Sequence, residues 1–149
     1  MKPMNLQQHF LKLLKYSNEL KEKNKSLKNE DPEVFDLFLD FLVRIERNLH
    51  YFEKQEYINL AKDFLDDKIT ANDFSYSFMA IYGRIGQKLG QMKRAESVEL
   101  ANFLEPSRPQ LGDLLVRIYG SCDSFNLDPE ISMSGKKGLK GFLFSISIV

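Results

Sequence analysis

The stretch YINLAKDFLDDKITANDFSYSFMAIY, which runs from Tyr57 to Tyr82, predicts two helices joined by a tight turn. On both sides of the turn, apolar residues recur at three- and four-residue spacing, which is typical of a helix that buries one face. In the first helix, expected to end at Ile69, this face comprises Tyr57, Leu60, Ala61, Phe64 and Leu65. In the second helix it comprises Phe74, Phe78, Ile81, Tyr82, Ile85 and Leu89.

The turn itself is predicted by a capping box, Thr70-Ala71-Asn72-Asp73. The Thr70 hydroxyl can accept a hydrogen bond from the Asp73 backbone N–H, while the Asp73 carboxylate reaches back to the Thr70 backbone. On the outer side of the first helix, Glu56, Asp63 and Asp67 fall within an arc of about 40° at about 100° per residue, and Asp66 lies further round. The hairpin therefore carries an acidic ridge.

Gly83, Gly86 and Gly90 lie together on a face of the second helix. Each costs about 1 kcal/mol relative to alanine inside a helix, so we expect another helix to approach this face closely. The string GRIGQKLG matches neither GxxxxGK[ST] nor a strand followed by GxGxxG, and no phosphate-binding loop is predicted.

Two helices are predicted before the hairpin. The first is expected to bury one narrow face, and residues 21–30 after it are expected to form a loop. That face comprises Leu6, Phe10, Leu13, Leu14, Ser17 and Leu20. The second is capped by Asp31, with Pro32 at its first position. Because it is apolar over most of its circumference, we expect it to be central, with neighbours on more than one side.

After the hairpin, a short helix is predicted from Lys93 to Leu104, and Pro109 is expected to start the last long helix. Cys122 lies at the centre of the apolar face of that helix, which favours a buried structural thiol. Residues 131–149 read as an irregular tail, although their end, GFLFSISIV, locally favours a strand.

These patterns predict an all-α fold in a single domain: an antiparallel helical bundle with a four-helix core in residues 53–130. Residues 1–52 form an N-terminal helical extension, and residues 131–149 form the tail. A chain of 149 residues is long enough to bury a core of this kind.

The formal net charge is zero, but its distribution is uneven. Residues 1–52 carry +1, residues 53–130 carry −4, and the tail carries +3. A single cysteine fits a reducing compartment, and no apolar run resembles a signal peptide or a membrane span. We therefore expect a cytoplasmic protein, or one of the stroma of a plastid or another organelle of bacterial descent, with no membrane partner.

No catalytic constellation is recognisable, so an enzyme is not expected. The two histidines, His9 and His50, have no cysteine or carboxylate at a metal-binding spacing, and neither a metal nor a cofactor is predicted. His50 is interpreted as a helix-terminal residue that complements the helix dipole.

The string LAKDFLDDKITANDFSYSF, Leu60 to Phe78, resembles the signature of the bacterial self-protective, colicin-like immunity family, typified by immunity to colicin D. In that family a similar run joins the first two helices of a small antiparallel helical bundle. The later SCDSFNLDPE, Ser121 to Glu130, is similar to the segment that ends the bundle, so the resemblance covers roughly residues 55–130.

The resemblance implies a protein that binds the nuclease domain of a tRNase bacteriocin. In the family, acidic side chains occupy the basic active-site cleft and mimic the phosphates of the tRNA substrate. The residues that could do so here are Glu56, Asp63, Asp66, Asp67 and Asp73.

Two alternatives remain open. The long N-terminal extension and the neutral net charge favour a scaffold or regulatory interaction protein that kept an immunity-like fold, with self-association into a homo-oligomer. Nucleic-acid binding through the basic N-terminal helix is not favoured, because Glu19 and Glu22 interrupt its lysines and no aromatic stacking pattern accompanies them.

Overall fold

The structure is a computed structural model that describes residues 5–124, with side chains through Tyr119. Within this range the chain is all-α and contains no strand, which confirms the predicted fold class. The helices are α1 (Leu6–Glu22), α2 (Leu27–Glu30), α3 (Pro32–Phe52), α4 (Lys54–Leu65), α5 (Ala71–Arg94), a 3-10 helix (Val98–Phe103) and α6 (Pro109–Ser124). Two predictions lie outside the described residues: the strand character of GFLFSISIV and the burial of the Cys122 side chain.

The described residues form two compact units. The first unit contains the residues up to Leu49 together with Gly86–Ser107, and the second contains His50–Ile85 together with the residues from Arg108 onward. The boundaries fall within α3, within α5 and just before α6. The antiparallel four-helix core and the division at residues 52 and 130 stay predictions.

The core of the first unit is built on α1. Its Asn5 side chain accepts a hydrogen bond from the Gln8 backbone N–H at 2.8 Å, which caps the first turn. Phe10 packs against the rings of Phe38 and Phe41 from α3, with centroids 5.9 and 6.1 Å away. The predicted apolar face of α1 is buried at Phe10, Leu13, Leu14, Ser17 and Leu20.

The start of α3 was predicted correctly, because the Asp31 carboxylate accepts a hydrogen bond from the Val34 backbone N–H at 3.3 Å. Its central position stays a prediction. In the first unit α3 buries one stripe, Phe38, Phe41, Ile45, Asn48 and Leu49. Leu37 and Leu39, two residues of the predicted apolar surface, keep 37% and 45% of their surface exposed.

Asn48 connects this stripe to the chain beyond the 3-10 helix. Its amide nitrogen donates to the backbone carbonyls of Phe103 and, at 2.9 Å, of Pro106. The short helix predicted from Lys93 to Leu104 is present as the 3-10 helix, but it starts later than predicted, because α5 continues to Arg94. Of the apolar residues in this stretch, Leu100, Ala101 and Leu104 are buried, whereas Val98 is 69% exposed.

Three helices end in the same way, at a residue in the left-handed region. Asn24, Asp67 and Glu96 have φ values of 58°, 57° and 50°. After each, the next backbone N–H bonds back across the last turn, from Lys25 to Leu20 (2.8 Å), from Lys68 to Asp63 (2.9 Å) and from Ser97 to Met92 (3.0 Å). These are Schellman motifs, which satisfy carbonyls that a helix end leaves open.

The helix ends correct two predicted boundaries. α4 ends at Leu65, four residues before the predicted Ile69, because the backbone reverses at Asp67. The loop expected over residues 21–30 is shorter, since the Ser26 hydroxyl accepts from the Asn29 backbone N–H at 3.3 Å and caps α2.

The expectation of a close helix contact at the glycines of α5 is wrong within the described residues. A methyl group added at Gly83 or Gly86 would meet no atom within 4 Å, and one at Gly90 would meet only the Arg94 guanidinium, at 3.4 Å. The glycines lie on an outer side of the helix, so no packing contact among the described residues offsets their cost.

Candidate functional site

The helical hairpin of α4 and α5 carries the candidate site and belongs to the second unit. Its inner face is held by aromatic contacts: Phe64 stacks on Phe74 with ring centroids 4.9 Å apart, and Tyr57 lies 5.2 Å from Phe78. All four rings are buried, as the sequence predicted. The packed inner face leaves the acidic residues of the turn on the outside.

His50 completes this packing. It is only 2% exposed, its Nδ1 lies 2.8 Å from the Tyr57 hydroxyl, and its ring stacks on Tyr82 with centroids 4.6 Å apart. His50 is therefore a buried member of the aromatic core, and its interpretation as a helix-terminal residue acting on the dipole was incomplete.

The capping box at the start of α5 is confirmed. The Thr70 hydroxyl accepts from the Asp73 backbone N–H at 3.1 Å, and the Asp73 carboxylate accepts from the Thr70 backbone N–H at 3.2 Å. Both residues remain exposed. The carboxylate of Asp73 is thus fixed in place at the entrance to the helix.

Asp63, Asp66 and Asp67 surround the other end of the turn. Asp66 is the C-cap residue of α4, and Asp67 after it has a left-handed backbone. The Asp63 carbonyl accepts the hydrogen bond from the Lys68 backbone N–H that completes the Schellman motif. Asp66 and Asp67 are exposed and Asp63 is half-buried. The fold therefore gathers four aspartates between residues 63 and 73, a set that we call the acidic turn: Asp63, Asp66, Asp67 and Asp73.

Glu56 does not belong to this set. It precedes Asp63 by seven residues, which is about 10 Å along a helix. Its carboxylate forms an ion pair with the guanidinium of Arg84 on α5, which also lies 3.9 Å from Glu53. Glu56 thus lies apart from the acidic turn with its charge paired within the hairpin, and the ridge as a binding surface stays a prediction.

The acidic turn keeps a negative balance. Residues 62–73 contain its four aspartates and two basic residues, Lys62 and Lys68. Because the chain as a whole is neutral, this excess is a local property of the turn and not a reflection of overall charge.

Two exposed residues of α5, Arg84 and Tyr76, were not identified from the sequence. Arg84 lies 28 residues from its partner Glu56, so no local pattern joins them. Tyr76 is 80% exposed one turn after Asp73, and residues three apart are neighbours on a helix surface. Tyr76 could have been found from the sequence, because it is a large aromatic residue outside the apolar stripe of an amphipathic helix.

Among the side chains that the structure describes, from Asn5 to Tyr119, no three His, Cys, Asp or Glu residues are arranged to hold a metal ion. In the same range, no helix combines the length and the apolar character needed to cross a membrane. What the site offers is surface charge and an exposed aromatic side chain.

Comparison of this chain with models of known families, with curated proteins and with solved structures gives no match.

Proposed function

We propose that this chain is a protein-binding module, similar in role to a colicin-like immunity protein, that blocks a basic nuclease toxin domain through the acidic turn. The observation that carries the proposal is the grouping of four aspartates around one turn with the exposed ring of Tyr76 beside them. Glu56, which the sequence placed in the same surface, is assigned to the stability of the hairpin.

The charges and the ring have different tasks in this proposal. Carboxylates facing a basic cleft speed association, because complementary charges steer the encounter, and this effect weakens as salt rises. Tyrosine is enriched among residues that dominate binding energy, since it buries a large area at low cost in conformational entropy. We therefore assign the on-rate to the aspartates and the residence time to Tyr76.

The charge assignment is tested by titrating the full chain with the nuclease domain of a colicin-D-type tRNase and by following tRNA cleavage. Asp66→Asn/Asp67→Asn removes two charges, and asparagine also tolerates the left-handed backbone at position 67. We expect binding to weaken about tenfold, mainly through the on-rate. Glu99→Gln/Asp113→Asn removes the same charge at exposed positions outside the turn and should have little effect.

Equal effects of the two double variants would exclude the acidic turn as the contact surface. Absence of both binding and inhibition by the wild-type chain would reject the toxin-binding proposal for this class of nuclease.

The role of Tyr76 is tested by Tyr76→Ala, with Tyr16→Ala in α1 as the control, since Tyr16 is also exposed at 40%. We expect Tyr76→Ala to raise the off-rate at least tenfold, which is the usual effect of losing a dominant interface residue. An unchanged off-rate would remove Tyr76 from the proposed surface.

A second candidate function is a helical scaffold. It is favoured by the structural positions of the aspartates: Asp73 belongs to a capping box, and Asp66 and Asp67 form the end of α4. In a scaffold, Asp73→Asn would lower stability and change no binding reaction. The titration with the nuclease domain distinguishes the two candidates.

A further inference from the structure

An apolar strip on the outside of α3 is available in the first unit. Phe35, Leu39 and Val43 recur every four residues and so share one ridge of the helix. Leu39 is 45% exposed, and Phe35 and Val43 are half-buried. The strip lies beside the buried stripe of Phe38, Phe41 and Ile45 and is separate from it.

Charged residues border this strip in a self-complementary order. Asp36 and Asp40 lie toward the start of α3, and Arg44 and Arg47 follow toward its end. Asp40 and Arg44 form an ion pair at 3.1 Å, with side chains 54% and 33% exposed. With Glu33 and Glu46 counted as well, the first half of α3 carries three negative charges and the second half a net charge of +1, so the two halves are opposite in sign.

We propose that this strip is a self-association surface, on which α3 of one copy packs antiparallel against α3 of a second copy around a twofold axis. In a twofold interface the same patch serves both copies, so residues at equal distances from the axis face each other. If the twofold axis crosses the interface at the level of α3 midway between Phe41 and Leu42, Asp36 lies opposite Arg47 of the second copy. Each is then about 8 Å from the axis, measured along the helix.

The same axis brings the apolar residues together. Leu39 of one copy then lies against Val43 and the aliphatic stem of Arg44 in the other, and the reverse contact repeats across the axis. Antiparallel packing joins each acidic half to a basic half, whereas parallel packing would join like charges. The charge order thus selects a second copy in one orientation.

The surface is small, so the association should depend on concentration. A single helix from each copy buries less than the roughly 1,200 Å² of the smallest standard interfaces. We expect a monomer–dimer equilibrium in the micromolar range. Sedimentation velocity of the full chain between about 5 and about 500 µM should show a weight-average mass that rises from monomer toward dimer.

Leu39→Lys tests the apolar strip. It should raise the dissociation constant of the dimer at least tenfold, because the change occurs twice in the interface and places two ammonium groups near the axis. Leu37→Lys is the matched control, since Leu37 is comparably exposed, at 37%, on another side of the same helix. Circular dichroism checks that both variants keep their helicity.

The charge order is tested by a swap. Asp36→Arg places like charges opposite each other twice and should weaken the dimer roughly tenfold. Adding Arg47→Asp restores both opposite-charge pairs and should return the dissociation constant to within about threefold of the wild type. Asp36→Arg places a positive charge toward the start of α3 and Arg47→Asp a negative one toward its end, both unfavourable to the helix dipole. Thermal unfolding of each variant therefore separates an effect on folding from an effect on association.

A monomeric wild type across the whole range would overturn the proposal. It would also fail if Leu37→Lys dissociated the dimer as strongly as Leu39→Lys, or if the charge swap restored nothing. Asp66→Asn/Asp67→Asn should leave the dimer unchanged, so the result is independent of the toxin-binding proposal.

Discussion

The beginning of α5 was predicted correctly from the sequence, whereas the surroundings of its middle were not. At its beginning, Thr70 and Asp73 exchange two hydrogen bonds that can be read directly from four adjacent residues. In its middle, a methyl group added at Gly83 or Gly86 would meet no atom of the described residues within 4 Å, although the sequence pattern indicated a close helix contact. Local hydrogen-bonding partners are encoded locally, whereas the occupant of a helix face is not.

The largest expected effect comes from filling the middle of the helix. Gly83→Ala and Gly86→Ala should each raise the free energy of unfolding by about 1 kcal/mol, and by about 2 kcal/mol together, because alanine fits a helix better than glycine. Urea unfolding measures this. Gly90→Ala, whose methyl group would touch the Arg94 side chain, should gain no more than either.

A loss of stability in the glycine variants would contradict the open space seen at these positions. It would restore the expectation of a close contact at the glycine face.

The beginning of α5 should show a smaller change of the opposite sign. Thr70→Ala removes the hydroxyl that accepts from Asp73, so we expect the free energy of unfolding to fall by about 1 kcal/mol. Thr70→Ser keeps the acceptor and should lose less. Equal losses in thermal or urea unfolding would show that the methyl group of Thr70, and not its hydroxyl, stabilises the turn.

The end of α5 permits a more subtle test. Glu96 holds φ of 50°, where glycine is favoured, and its side chain accepts from Asn18 at 3.3 Å on the surface. Glu96→Gly should stabilise by about 0.5 kcal/mol, since relief of backbone strain exceeds the loss of one exposed hydrogen bond. Asn24→Gly should gain less, because asparagine already tolerates this conformation. The reverse order would contradict the strain argument.

The smallest effect concerns Lys93 in the last turn of α5. Burial lowers the pKa of Lys93 below its ordinary value of 10.5, and the ammonium of Lys21 lowers it further, while Glu46 opposes the shift. The unfolded chain thus binds more protons between the two pKa values, and the contribution of Lys93 to stability rises with pH in that window. Stability curves measured against pH for wild type and Lys93→Gln should converge as the pH rises toward 10.5, and parallel curves would contradict the shift.

Local signals predicted much of this fold. The caps at Asp31 and Thr70 and the buried face of α1 came out as expected, because each depends on residues within one or two turns. The end of α4 was missed, since the left-handed position holds Asp67 where a glycine would have marked it.

The candidate site was only partly predictable, for a different physical reason. Asp63, Asp66, Asp67 and Asp73 are close in sequence, so the turn necessarily gathers them. The pairing of Glu56 with Arg84 depends on how α4 lies against α5, and the exposure of Leu39 depends on which side of α3 faces the core. Contacts between helices that are distant along the chain leave no short-range pattern in the sequence.

The hydrogen bonds of Asn48 have a consequence for mutational tolerance. Its buried amide recognises the backbone carbonyls of Phe103 and Pro106, not their side chains. Exposed positions in this segment, such as Glu105 and Ser107, can therefore accept many substitutions while the chain keeps the same path. Position 48 itself is constrained, because few other side chains of its size can donate to two carbonyls at once.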